Sequence, residues 1–255
     1  HRQGRNGNMG SYQKETSQVH TELVGISSSL KMKKLHLLNI GFPKTGTTWL
    51  FRQIEKQSWF DQEDIPKEVN IIEKDQSFNQ YVSKYSQYNY SANFNPNLFK
   101  LGRNHIGLVN TIKSSLVSII LRNPYEQLVS YYYFSKLGAT GGNQKPYENN
   151  KDLVQWTEDF LQTDALSNYC KIIDRWISSF PNTQIFLYDD LQENPVKFFE
   201  RYRTRMDLPR CSNIDPTPIF VGKYKISPDD VQSFRSKFKD KIHKICLNLA
   251  KKNYI

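Results

Sequence analysis

The segment Gly41-Phe42-Pro43-Lys44-Thr45-Gly46-Thr47-Thr48-Trp49 has the residue types that hold a phosphate. Its glycines let the backbone turn tightly and approach a ligand closely, so that main-chain N–H groups can point inward. Lys44 adds a mobile cation, and Thr45, Thr47 and Thr48 add hydroxyl donors. The order departs from the nucleoside-triphosphate loop G-x-x-x-x-G-K-[ST]. Gly41 and Gly46 keep that spacing, but Thr47 stands where the lysine belongs, and Lys44 lies inside the loop.

The flanking elements suit this chemistry. Leu35-His36-Leu37-Leu38-Asn39-Ile40 reads as a strand and Leu50-Phe51-Arg52-Gln53-Ile54 as a helix, so the loop ends at a helix N-terminus, where the dipole favours negative charge. Leu116 to Leu121 is a short apolar run rich in Val and Ile, the pattern of a buried parallel strand. Pro124 then opens a helix through Tyr133. A helical pattern runs from Asp152 to Phe180 and stops at Pro181; Ile185-Phe186-Leu187-Tyr188 is a third strand, followed by a helix from Val196 to Arg203. Ser227-Pro228-Asp229-Asp230 is an N-cap signal for a final helix. Strands alternating with helices predict a single α/β domain, a doubly wound parallel β-sheet flanked by helices. Trp59 to about Asn97 is polar and aromatic, with Tyr81, Tyr85, Tyr88 and Tyr90 close together. It reads as a helix and loops over the sheet edge, or as an aromatic wall for an acceptor. Gly138 to Asn143 is a flexible loop, either a lid or a connection.

At 255 residues the chain suits one domain, or one with a small appendage. Residues 1–31 are polar and aperiodic and are expected to be a disordered or extraneous arm, leaving 32–255 as the domain. No apolar run approaches the ~18–20 residues of a membrane span. The net charge of +10 favours anionic partners, which a small anionic ligand satisfies as well as a polymer does. No nucleic-acid motif is present, so nucleic acid is not expected as a partner. Cys170, Cys211 and Cys246 are odd in number and far apart, which suggests neither a disulfide framework nor a metal site. That usage fits a reducing, cytoplasmic setting.

Pro43-Lys44-Thr45-Gly46-Thr47-Thr48-Trp49 resembles the 5′-phosphosulfate loop of sulfotransferases that use 3′-phosphoadenosine 5′-phosphosulfate (PAPS). A second element of that family is a strand ending in Arg, then Pro, then a helix with Ser eight positions after the Arg. Ser118-Ile119-Ile120-Leu121-Arg122-Asn123-Pro124, followed by Tyr125-Glu126-Gln127-Leu128-Val129-Ser130, is similar to it. The resemblance spans about residues 34–252 in outline and implies a P-loop nucleoside-triphosphate-hydrolase-like fold. It implies that Arg122 and Ser130 bind the cofactor's 3′-phosphate. Lys44 would stabilise the bridging oxygen as 3′-phosphoadenosine 5′-phosphate (PAP) leaves, and Thr45, Gly46, Thr47 and Thr48 would supply the remaining hydrogen bonds. Trp49 matches the aromatic residue that packs on adenine in cytosolic members; it also reads as a core residue at a helix start. Lys223, in Val221-Gly222-Lys223-Tyr224-Lys225, is placed like a 3′-phosphate contact, or is a solvated lysine. The family requires no metal. Its Golgi members are usually membrane-anchored, so an excised luminal domain is the alternative to a cytoplasmic protein.

Two residues compete for the general base. Lys67-Glu68-Val69-Asn70-Ile71-Ile72 is similar to the Lys-Glu-x-His-Phe-Phe pattern of carbohydrate sulfotransferases, with Asn70 and the isoleucines departing from it. That points to Glu68, or to Glu63 or Glu73 if the segment is shifted. Cytosolic members use a His within Lys-Thr-His; His105 lies at a comparable distance, but that pattern is absent. The expected reaction is sulfuryl transfer from PAPS to a hydroxyl or amine, with a carbohydrate acceptor. A small phenol or alcohol is the alternative that Trp49 suggests. The rivals outside this chemistry are a P-loop phosphotransferase, which would want a lysine directly after Gly46, and a non-catalytic PAP-binding module.

Overall fold

Leu35–Asn39 forms strand β1 with all five residues buried, as expected of a central parallel strand covered on both faces. The computed structural model describes residues 35–61, 66–69, 75–112, 115–137, 151–163, 168–218 and 227–255. The arm expected over 1–31, the Gly138–Asn143 loop and the Val221–Lys225 loop lie outside them. After β1 come α1 (Thr47–Glu55), α2 (Asp75–Tyr85), β2 (Tyr90–Phe94), α3 (Arg103–Asn110), β3 (Ser115–Leu121) and α4 (Pro124–Leu137). Then follow α5 (Leu153–Thr163), α6 (Tyr169–Ser179), β4 (Gln184–Leu187), α7 (Tyr188–Glu193), α8 (Pro195–Arg205) and α9 (Pro228–Lys251).

The strands form one parallel sheet in the order β2-β1-β3-β4, with Leu38 paired to Val117 and Asn39 to Ser118. Strand alternation divides the core. Leu35 and Leu37 pack with Trp49, Leu50 and Ile54 of α1 and Phe198 and Phe199 of α8. Leu38 and Ile40 join the opposite cluster, with Leu128 and Tyr132 of α4, Trp176 of α6 and Phe234 of α9. Helices therefore cover both faces, and the expected α/β architecture is the observed one. Among the described residues no helix is long and apolar enough to cross a membrane.

The chain leaves β1 toward β2 and leaves β3 toward β4. The crevice between the carboxyl ends of β1 and β3 is therefore the topological switch point, where open α/β sheets bind ligands. The loop carrying Lys44 follows β1, and Arg122 directly follows β3.

Three local expectations change. Tyr90–Phe94 is a strand, not loop. It hid because its inward side chains include Ser91 and Asn93, at 1% and 0% exposure, instead of an apolar run. The pattern from Asp152 to Phe180 belongs to two separate helices, α5 and α6, and α4 continues past Tyr133 to Leu137. The tyrosines expected over the sheet edge divide: Tyr81 and Tyr85, on α2, are buried in the core cluster, whereas Tyr88 and Tyr90 are half-buried. The final helix begins as expected, with the Ser227 hydroxyl accepting from the Asp230 N–H at 3.3 Å.

Candidate functional site: an anion cradle at the switch point

Two glycines shape the loop. Gly41 has φ 103°, and a Cβ there would sit 2.9 Å from the Pro96 carbonyl oxygen. Gly46 has φ 80° and is the N-cap of α1, and a Cβ there would meet Leu191 Cδ2 at 2.5 Å. Lys44 also adopts a left-handed conformation, with φ 65°. No side chain caps α1. Its first N–H groups therefore stay available to a ligand, with the helix dipole behind them.

Lys44 Nζ stands 4.1 Å from the centroid of the Phe134 ring. Burial first, then the neighbouring charges of Arg122 and Lys67, bring its ammonium down to about 8. Such a cation is stabilised by an incoming anion, which supplies the missing counter-charge.

Arg122 faces Lys44 across the crevice. Its Nη1 donates to the Lys44 carbonyl at 3.0 Å, its guanidinium carbon lies 4.3 Å from the centroid of the Tyr188 ring, and Nη2 reaches Glu126 only at 3.5 Å. The side chain is 13% exposed, and its Nε is buried without a hydrogen-bond partner. A fixed guanidinium with an unused donor suits an anionic ligand.

Gln127 connects the loop to two helices. Its Nε2 donates to the Pro43 carbonyl at 2.7 Å, and its Oε1 accepts from the Tyr169 hydroxyl of α6. Ser130 is buried three residues on, which puts it on the same face of α4. Beneath the loop, Asn39 accepts from the Gly41 N–H at 3.1 Å and donates to the Ser118 hydroxyl at 3.0 Å. Sequence reasoning passed over Gln127 and Asn39, whose only signal was a polar residue at a position the helix or strand pattern makes inward.

The three threonines differ. The Thr45 hydroxyl donates to the Phe42 carbonyl at 2.7 Å and is fully buried, so its proton serves the loop itself. Thr47 is buried and Thr48 half-buried in the first turn of α1. Trp49 packs edge-on against Phe198 and Phe199, is 4% exposed, and donates its indole N–H to the Asp215 carbonyl at 3.0 Å. The structure thus places it in the core, the second of its two readings.

Lys67 and Glu68 form an ion pair beside the end of β2, where the Phe94 N–H donates to the Lys67 carbonyl at 2.8 Å. Lys67 is close enough to Lys44 to lower its basicity, so this segment borders the cradle. His105 is exposed on α3, and among the described residues no hydrogen bond or ion pair ties it to the loop. Lys223, Glu63 and Glu73 lie outside the described residues.

Uncapped N–H groups, two crowded cations and an arginine donor without a partner thus converge at one crevice. Residues 34–203 match the family model described as the sulfotransferase domain. The chain belongs to the sulfotransferase domain family. PAPS-dependent sulfuryl transfer is the chemistry of that family, and the cradle fits its anionic cofactor on the geometry above. The fold is similar to that of two solved sulfotransferases. One, from Alicyclobacillus acidocaldarius, has a TM-score of 0.51 at 12% identity, covering 83% of this chain and 94% of that one. The other, mouse sulfotransferase SULT7A1 complexed with PAP, has a TM-score of 0.50 at 15% identity, covering 88% and 90%. No curated protein sequence matches this sulfotransferase.

Proposed function

We propose that this sulfotransferase uses Lys44, Arg122 and the α1 N-terminus to hold PAPS, and Glu68 to take the proton of a carbohydrate hydroxyl or amine. The observation that carries the cofactor assignment is Arg122 bridging to the Lys44 carbonyl with its Nε unpartnered. PAPS, when bound, supplies the sulfuryl group. The N–H groups of Gly46, Thr47 and Thr48 hold the 5′ end, with the Thr47 and Thr48 hydroxyls beside them. Lys44 Nζ stabilises the charge that develops on the leaving phosphate oxygen. Arg122, with Ser130 on the next helix and Lys223, takes the 3′-phosphate. Glu68 accepts the acceptor's proton at a carboxylate oxygen, freeing the attacking O or N for in-line approach. Trp49 braces α1 from the core, its N–H held by the Asp215 carbonyl.

The carbohydrate assignment rests on the Lys67-Glu68 segment bordering Lys44 while His105 has no bond to the loop. Labelled sulfuryl transfer from PAPS to a panel of N-deacetylated heparosan, chondroitin and 2-naphthol tests it. Transfer to a polysaccharide that falls by ~10²–10⁴-fold in Glu68→Gln, and persists in His105→Ala, is expected. Transfer to the phenol alone, abolished by His105→Ala, would overturn both the acceptor and the base.

A further inference from the structure

The end of β2 holds a buried amide in an unusual arrangement. Asn93, 0% exposed, accepts the Val69 N–H at Oδ1 (3.1 Å) and donates from Nδ2 to the Val69 carbonyl (3.0 Å). One side chain thereby pairs with both main-chain groups of a residue, as a neighbouring strand would. Asn95 adds a second bond to the Val69 carbonyl at 3.1 Å, and the Phe94 N–H holds the Lys67 carbonyl.

The network continues inward. Asn93 Nδ2 also donates to the Tyr81 hydroxyl at 3.2 Å. That hydroxyl lies 2.7 Å from His36 Nε2, and His36 Nδ1 lies 2.8 Å from the Ser91 hydroxyl. Buried polar groups cost stability unless every member is satisfied, and a satisfied network fixes a single arrangement. Here the arrangement runs from β1 through α2 and β2 to the segment at the mouth of the cradle. Two residues before Val69 stands Lys67, whose carbonyl accepts the Phe94 N–H and whose side chain is 16% exposed.

We propose that Asn93 is a positioning residue of the sulfotransferase site: by pairing with both main-chain groups of Val69 it fixes Lys67 and Glu68 against the loop that carries Lys44. This rests on the cofactor reading above. The charged groups around Lys44 are Arg122 after β3, with Glu126 of α4 paired to it, and Lys67, with Glu68 paired to it. Of these, Asn93 governs only the last two.

The test is calorimetric titration with PAP from pH 6 to 10 on the wild type, Asn93→Ala and Lys67→Met, with amide exchange followed at Val69 and in β1 and β3. In Asn93→Ala we expect Val69 exchange at least tenfold faster with β1 and β3 unchanged. The pH at which PAP binding begins to weaken should rise by about half a unit, because Lys67 no longer crowds Lys44. Lys67→Met, which breaks none of the Asn93 bonds, should show the same pH shift with normal Val69 exchange. An unchanged onset in Lys67→Met, or unchanged Val69 exchange in Asn93→Ala, overturns the proposal even if one variant folds poorly. Absence of PAP binding in the wild type would instead defeat the cofactor reading, and Val69 exchange would still report the pinning.

Discussion

At the scale of single residues, Lys44 is the most perturbed group at the switch point. In the free site its ammonium titrates near 8, through burial first and then the charges of Arg122 and Lys67. A bound anion favours the protonated form, so below that pH PAP meets a lysine already charged. Above it, binding must take up a proton. PAP affinity should therefore be flat to about pH 8 and then fall, by at most about tenfold per pH unit. Lys44→Met should weaken binding at neutral pH and remove the dependence, and calorimetry in buffers of different ionisation enthalpy would show the proton uptake directly. Lys44 could be singled out in the sequence because the flanking glycines advertise the turn that presents it, whereas Arg122 was singled out through the family resemblance. The roles of Thr45 and Gln127 were not legible. Whether a threonine hydroxyl faces the ligand or, as at Thr45, a carbonyl three residues back depends on loop dihedrals that spacing does not encode.

At the scale of elements, the loop and α1 are held by close packing against α7. Gly46→Ala would place a methyl against Leu191 and force a left-handed alanine, so a loss of about 2–4 kcal/mol is expected in denaturant unfolding. Gln127→Leu should remove the bonds to the Pro43 carbonyl and the Tyr169 hydroxyl, costing about 1–3 kcal/mol and weakening PAP binding as the loop loosens. The β2 edge carries a titratable liability. Burial lowers the His36 imidazole to about 3, far below its ordinary value. The folded state therefore binds fewer protons than the unfolded chain between roughly pH 6.5 and 3. Stability should fall as pH drops through that window, with a slope approaching about 1.4 kcal/mol per pH unit. His36→Gln should be less stable at pH 7 yet lose less between pH 7 and 5, as urea unfolding would show. The same residues explain why β2 was not legible: Ser91 and Asn93 are polar by sequence and buried by partnership, and those partners are 12 to 55 residues away.

At the scale of the whole molecule, alternating strand and helix signals were enough to predict a parallel sheet covered on both faces, because β1 and β3 each keep a buried apolar run, Leu37-Leu38 and Ile119-Ile120-Leu121, beside buried polar residues such as Asn39 and Ser118 that pair with each other. The strand order was not in the pattern. It places the Lys44 loop and Arg122 together at the one crevice where the chain departs in opposite directions, and that is what joins two motifs some 78 residues apart into a single site. The most direct measurement is calorimetric titration of PAP, ATP and ADP onto the wild type and Arg122→Ala. We predict PAP binding that weakens by about 30–150-fold in the variant, the loss of one or more charge-assisted hydrogen bonds, with ATP and ADP binding much weaker throughout. Preference for ATP with Mg²⁺, or PAP binding indifferent to Arg122, would contradict the assignment of this crevice to the sulfotransferase cofactor.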